Sequence, residues 1–194
     1  MLFRSLRTGE TSSCEAVDAC LRRIDADNPR LNAFISVFTD QARRDARAAD
    51  ADLARGIDRG PLHGVPVSVK DLFDVGGSVT TAASRVREGM VAAADAPVIA
   101  RLRRAGAVLI GKTNLHEFAF GTTNEDSAFG PARHPLDATR SPGGSSGGSA
   151  VSVAAGMAIV ALELIGDKPI SEIGFAEVVA KRTLDIIEIG RAHV

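Results

Sequence analysis

Residues 140–150 read RSPGGSSGGSA, four glycines and four serines around one proline. Their neighbours decide what such a stretch can be. A linker of this composition joins two domains and behaves as flexible coil. Here the stretch is short and runs straight into SAVSVAAGMA, residues 149–158, whose small side chains suit a helix packed closely on a sheet. Glycines at the start of such a helix let backbone N–H groups approach an anion or a developing oxyanion. Composition and spacing alone leave both readings open, linker and functional loop.

Upstream, helix and strand signals alternate. Ser12 with Glu15 reads as a capping box. Val17, Cys20, Leu21 and Ile24 then recur at helical spacing, predicting an amphipathic helix that stops before Pro29. NAFISVF, residues 32–38, is a short buried strand, and the Ala-rich, charged DQARRDARAADADLARG that follows is a surface helix ended by Gly56. Val65, Val67 and Val69 alternate with Pro66, Ser68 and Lys70, the period of a strand, and Pro66 places it at a strand start or a sheet edge. Asp95 and Pro97 open a helix over PVIARLRRAG that Gly106 closes. AVLIG is a buried strand, NLHEFAFG a short helix or turn, and a long glycine- and proline-punctuated loop spans about 121–148. The alternation predicts an α/β fold.

Within that frame Lys70 stands out, because it ends a run of valines where another valine or a turn residue is expected. Two readings compete: a lysine snorkelling to solvent, or one desolvated until it acts as a base. A serine nucleophile needs such a base. Asp71 and Asp74 flank it, either to orient it or as solvated turn carboxylates. GAVLIGKT, residues 106–113, matches the P-loop pattern letter for letter. Its four variable residues are a strand rather than a phosphate-cradling turn, so the match is rejected and Lys112 is assigned a structural or loop-wall place. His63, His116 and His134 share no metal-ligand spacing and read as ordinary polar loop residues. Asn114, Glu117 and Asn124 read as local loop holders.

Other classes are excluded by composition. A formal net charge of −1 leaves no basic excess for nucleic acid or a membrane surface. The absence of Trp and Tyr removes stacking platforms for single strands. No apolar run approaches the roughly 20 residues that span a bilayer, and MLFRSLRTGE lacks the core of a secretory signal. Cys14 and Cys20 lie in one predicted helix and support neither a disulfide framework nor a metal set, so a cytoplasmic location is expected.

Three stretches in order, GPLHGVPVSVKDLFDVGG, GKTNLHEFAFGTTNEDSAFGP and SPGGSSGGSAVSVAAG, together resemble the amidase signature family from about Thr11 to Leu162. The resemblance implies a serine hydrolase that cleaves carboxamides, a group that includes the amide-releasing subunit of tRNA-dependent amidotransferases. It implies a large mixed sheet wrapped by helices, incomplete in this chain, and a Ser–cis-Ser–Lys triad. Lys70 then matches the catalytic lysine, and Ser145 the serine whose bond to Gly144 is cis. Gly143, Gly144, Ser146, Gly147 and Gly148 are implied as loop support or substrate contacts. Neutral Lys70 would take a proton from Ser145 as Ser145 takes one from the nucleophile. The implied partners are a small-molecule amide and either a second copy or amidotransferase subunits, with no membrane, nucleic acid, metal or cofactor.

The resemblance stops between Leu162 and Glu163. A segment of the form G-S-D-T-G-G-S should begin at residue 163 and place the nucleophile at 169, but the chain reads ELIGDKPIS and has Pro169 there. Ser171 has neither the glycine flank nor the register. Residues 1–162 are therefore expected to be the N-terminal part of an amidase signature domain, and residues 163–194 a helix-like tail foreign to it. The final IGRAHV is what ATCGGAAGAGCACACGTC encodes, a stretch of a common sequencing adapter. Adapter read-through after a joined fragment is one origin for the tail, and a natural truncated paralogue is the other. The chain as written is expected to lack amidase activity, and the alternative is a non-catalytic amidase-like binding or interaction protein.

Overall fold

The Ser12 hydroxyl accepts the Glu15 N–H at 3.1 Å while the Glu15 carboxylate accepts the Ser12 N–H at 2.8 Å, the reciprocal cap expected from the sequence. In the computed structural model, which describes residues 2–163, a short helix α1 (Leu2–Thr8) precedes this cap and α2 (Ser13–Leu31) follows it. Val17, Cys20, Leu21 and Ile24 form the buried stripe of α2. The predicted stop before Pro29 is wrong, because α2 runs through that proline. Its last turn is held from outside. Asn28 accepts the N–H of the left-handed Asn32 at 2.8 Å, and the Asn28 side chain exchanges two hydrogen bonds with the Phe34 backbone. The proline removes one backbone donor there, which those bonds offset.

After β1 (Phe34–Val37) comes α3 (Thr39–Ala54), whose Ala42, Ala46 and Ala49 are buried. A face of methyl groups lets the helix approach its neighbours closely, so it is less of a surface helix than its charge suggests. Then follow β2 (Pro66–Lys70), α4 (Pro97–Arg104), β3 (Val108–Thr113), α5 (Gly147–Ala154) and β4 (Val160–Leu162). The sheet order is β1-β3-β2-β4, with β1 antiparallel to β3 and the other pairings parallel. Pro66 does start a strand, but β2 is interior and not an edge; a first-position proline leaves the later ladder donors intact. No helix among the described residues is long and apolar enough to cross a membrane.

Two apolar clusters sandwich the sheet. Val65, Val67, Val69 and Leu109 pack with Ile99 and Leu102 of α4, while Val108 and Ile110 pack with α2, α3 and Val151 of α5. The β2–β3 register carries one irregularity: Val67 faces Leu109 and Ser68 faces Gly111, leaving Ile110 unmatched. The extra residue reverses the phase of β3 against β2, so Lys112 pairs with Val69 and Thr113 with Lys70. A Cβ at Gly111 would lie 2.4 Å from the Ser36 carbonyl oxygen, which leaves only glycine room at that step.

Candidate active site

β2 delivers Lys70 at its C-terminal end, fully buried, with its ammonium nitrogen 2.8 Å from Ser145 Oγ and 2.7 Å from Ser146 Oγ. Alternation along the strand puts Ser68 and Lys70 on the face opposite Val67 and Val69. Burial pulls the Lys70 pKa from 10.5 down to about 8, against the opposing pull of the Glu163 carboxylate. An amine in this state is neutral in about a tenth of molecules at pH 7 and about half at pH 8, and the neutral form can accept a proton.

The serine pair sits on a loop whose shape is set by contact. The Gly144–Ser145 peptide is cis, and the Ser145 carbonyl accepts the His116 N–H at 2.9 Å. Gly143 adopts φ +83°, a conformation L side chains disfavour. The other three glycines are there for space. A Cβ at Gly144 would meet Thr123 N at 2.7 Å, at Gly147 the Asn124 Oδ1 at 2.6 Å, and at Gly148 the Asn114 carbonyl oxygen at 2.4 Å. These contacts hold the loop against 122–124 and bring α5 down onto the end of the sheet. Ser145 and Ser146 remain half-buried, so the lysine is closed off while the hydroxyls are reachable.

The neighbouring residues depart from several expectations. Asp71 neither orients Lys70 nor is solvated: it is buried, 2.6 Å from the Lys112 ammonium, and also accepts the Thr81 N–H and hydroxyl. Lys112 adds bonds to the Val79 carbonyl and Thr80 Oγ1, which fixes it as structural; burial pulls its pKa down, against Asp71. Asp74 is the exposed turn carboxylate. Asn114 and Asn124 do more than hold local loops. Asn114 donates to the Asn32 and Gly130 carbonyls and accepts from Ser127, while Asn124 Oδ1 accepts the Gly148 N–H. Glu117 opens a single 3₁₀ turn ending at Ala119.

Among the three described histidines, His134 alone is the plain loop residue expected, accepting the Leu136 and Asp137 N–H groups. His63 is 2% exposed and accepts the Arg59 N–H, and His116 is buried beside Asp126, 3.3 Å away. Among the described residues no group of three His, Cys, Asp or Glu side chains could hold a metal ion. Pro169, Ser171 and the rest of the predicted tail beyond Glu163 lie outside the described residues.

Two further pairs carry no mark in the sequence, Thr113 with Ser149 and Ser68 with Ser152, joined hydroxyl to hydroxyl at 2.8 and 2.9 Å. Ser149 and Ser152 look like ordinary small helix residues there. Their one signal is a three-residue spacing that continues from Ser146.

A mixed sheet whose interior strand ends in a buried lysine, met by two serines on a glycine-bounded loop, defines an α/β protein with a lysine–serine cluster at its strand ends. A family model described as Amidase matches residues 15–163, and the chain belongs to that family. Among curated relatives, a glutamyl-tRNA(Gln) amidotransferase subunit (the one lettered A) of Anaeromyxobacter sp. (strain K) is 56% identical over 145 residues, 75% of this chain and 30% of the relative. The same subunit of Thermobifida fusca (strain YX) is 51% identical over 79% of this chain and 31% of its own length. The chain thus spans under a third of these relatives. Among solved structures, native peptide amidase from Stenotrophomonas maltophilia superposes with a TM-score of 0.76 at 41% identity, covering 82% of this chain and 34% of the other. The 6-aminohexanoate cyclic dimer hydrolase complexed with substrate gives 0.71 at 37% identity, covering 81% and 31%.

Proposed function

We propose that this chain carries the proton-handling half of a cytoplasmic serine site built for hydrolysis of a small-molecule carboxamide, with Lys70 as base and Ser145 as relay. The observation that carries the reading is the pair of contacts from buried Lys70 to Ser145 and Ser146. A neutral amine has two N–H bonds and one lone pair. Giving one N–H to Ser146 Oγ turns the lone pair toward the Ser145 hydroxyl. Ser145 then hands its proton to Lys70 while taking one from the attacking serine, whose oxygen adds to the amide carbonyl. Return of the proton to the departing nitrogen releases the amine and leaves an acyl-serine ester, which water, giving up its proton through the same relay, hydrolyses to free the acid and restore the serine.

In this reading residues 1–162 are the N-terminal part of the amidase signature domain and residues 163–194 are foreign to it. Pro169 occupies the position expected for the attacking serine, so the chain as written does not turn over amides. That proline also favours a second reading, a non-catalytic amidase-like protein that keeps the loop for contact with a second copy or with partner subunits. The relatives named as a lettered subunit support an assembly of this kind.

A hybrid separates the two. Residues 163–194 are replaced by the rest of the Anaeromyxobacter relative, and ammonia release is followed over a panel of primary carboxamides. Hydrolysis that disappears on Lys70→Ala supports the first reading. A folded hybrid that releases no ammonia from any amide sinks it. Serine labelling of the original chain by a fluorophosphonate, abolished by Lys70→Ala, would contradict the claim of inactivity.

A further inference from the structure

Buried polar side chains run in a line between α5 and the sheet face that carries Lys70. Lys70 meets Ser145 and Ser146 just before the helix, Thr113 meets Ser149 one turn on, and Ser68 meets Ser152 a further turn along. Ser68, Thr113, Ser149 and Ser152 are each at most 2% exposed. The helix spacing supplies one hydroxyl per turn on one face. β2 supplies Ser68 and Lys70 at alternate positions, and the register irregularity turns Thr113 to the same side. At the far pair Ser152 Oγ also lies 2.8 Å from the Ser149 carbonyl oxygen and Ser68 Oγ 3.5 Å from that of Val160, so either hydroxyl can donate to the other.

A helix laid on a sheet is ordinarily held by apolar side chains, which tolerate sliding of a few tenths of an ångström. Hydroxyl pairs do not, because O–H···O bonds weaken steeply outside a narrow range of distance and angle. They also oblige both partners to stay matched, since a buried hydroxyl without a partner is costly.

We propose that Thr113 and Ser149, backed by Ser68 and Ser152, are positioning residues that lock the rotation and advance of α5 so that the two loop serines stay on the Lys70 amine. The proposal rests on the reading of Lys70 as base. It assigns these four hydroxyls to the geometry of that base rather than to the stability of the fold alone.

The test is the ¹³Cε titration of the full 194-residue chain labelled at lysine, alongside urea unfolding. The chain has four lysines, Lys70, Lys112, Lys168 and Lys181, and the Lys70 resonance is assigned by its loss in Lys70→Met. In the double variant Thr113→Val, Ser149→Ala the loop loses its registration and Lys70 gains water. Its titration midpoint is expected to rise by about 1 pH unit, cutting its neutral fraction at pH 8 roughly 5-fold. Ser68→Ala with Ser152→Ala should move it the same way by less, and Thr113→Ser, which keeps the hydroxyl, should leave it in place.

A lowered urea midpoint with an unmoved Lys70 titration overturns the proposal, since the hydroxyls then serve only the fold. So does a Thr113→Ser variant that shifts as far as the double variant, since the methyl group is then responsible. If the double variant does not fold, Thr113→Val compared with Thr113→Ser decides between the same outcomes. A parent chain titrating at the ordinary lysine value removes the base reading and this proposal with it. A depressed parent value retained in the variants removes this proposal alone.

Discussion

Replacing Gly148 with alanine tests whether α5 rests on the sheet at backbone contact. The added Cβ would lie 2.4 Å from the Asn114 carbonyl oxygen, 2.5 Å from the Ala33 carbonyl oxygen and 2.6 Å from Asn114 N. All three are backbone atoms, so no side chain can swing aside. Ordinary contacts lie near ~3.5 Å, and α5 has to withdraw by roughly 1 Å. Withdrawal stretches the Gly148 N–H bond to Asn114, now 3.0 Å, and parts the Thr113–Ser149 and Ser68–Ser152 hydroxyls. Overpacking of this sort costs about 1–3 kcal/mol, and each separated hydroxyl pair adds about 1 kcal/mol. The expected loss is roughly 4 kcal/mol, a large part of the stability of any domain. Urea unfolding followed by circular dichroism measures it, with Gly89→Ala as the control, because a Cβ there meets nothing within 4 Å. A Gly148→Ala chain that unfolds at the same urea concentration and slope as Gly89→Ala would refute the close-contact argument.

Other consequences concern charge. Lys112→Met strands the Asp71 carboxylate, 1% exposed, and should cost about 3–5 kcal/mol in urea unfolding; a loss below ~1 kcal/mol would show that the pair is not acting as a unit. Lys70 binds its proton less tightly folded than unfolded, so its burial opposes folding fully below about pH 8. That opposition fades as pH rises toward 10.5, and its full size is roughly 3 kcal/mol. Stability should therefore rise over that window relative to Lys70→Met, and parallel pH curves for the two chains would contradict the depressed lysine. His63 is held below its usual pKa of 6.5, first by burial and then by the Arg59 charge, against Asp52 and Asp58. Protonation favours the unfolded chain, so stability should fall as pH drops below 6.5, and His63→Gln should flatten that acid limb in urea unfolding.

Much of the fold was written in local pattern. The capping box at Ser12, the alternating valines of β2 and the proline at the start of α4 each depend on neighbours within a few residues, and each formed where expected. The Pro29 boundary failed because the bonds that hold the last turn of α2 come from Phe34 and Asn32, beyond the residues that a proline itself restricts. Lys70 was legible as an anomaly, a charged residue closing an apolar strand. Its partners were legible only through resemblance, since 75 residues separate it from Ser145. Asp71 was misplaced for a related reason. Its partner Lys112 faces it only because Ile110 is unmatched in the β2–β3 register, and the one hint of that skip in AVLIGKT is Gly111, a glycine inside a strand pattern. The hydroxyls of Ser149 and Ser152 stayed invisible because serine in a small-residue helix is ordinary until the opposite strand is known.

That skipped residue has a consequence for how two chemistries share one sheet. Lys70 ends β2 and Lys112 lies one residue from the end of neighbouring β3, yet the sheet stands between them as an insulating wall. On one side an ammonium is welcomed, because Asp71 supplies a fixed opposite charge. On the other an amine is met by neutral hydroxyls and is ready to go uncharged. Were Ile110 to pair with Ser68 instead of being skipped, Gly111 would fall opposite Val69 and Lys112 opposite Lys70, crowding it and leaving Asp71 to face a vacated chamber. The electrical identity of each lysine is thus set less by its own neighbours in sequence than by a single count along the adjoining strand. A point substitution tunes such a device, whereas a ladder closed without the skip would rewire it.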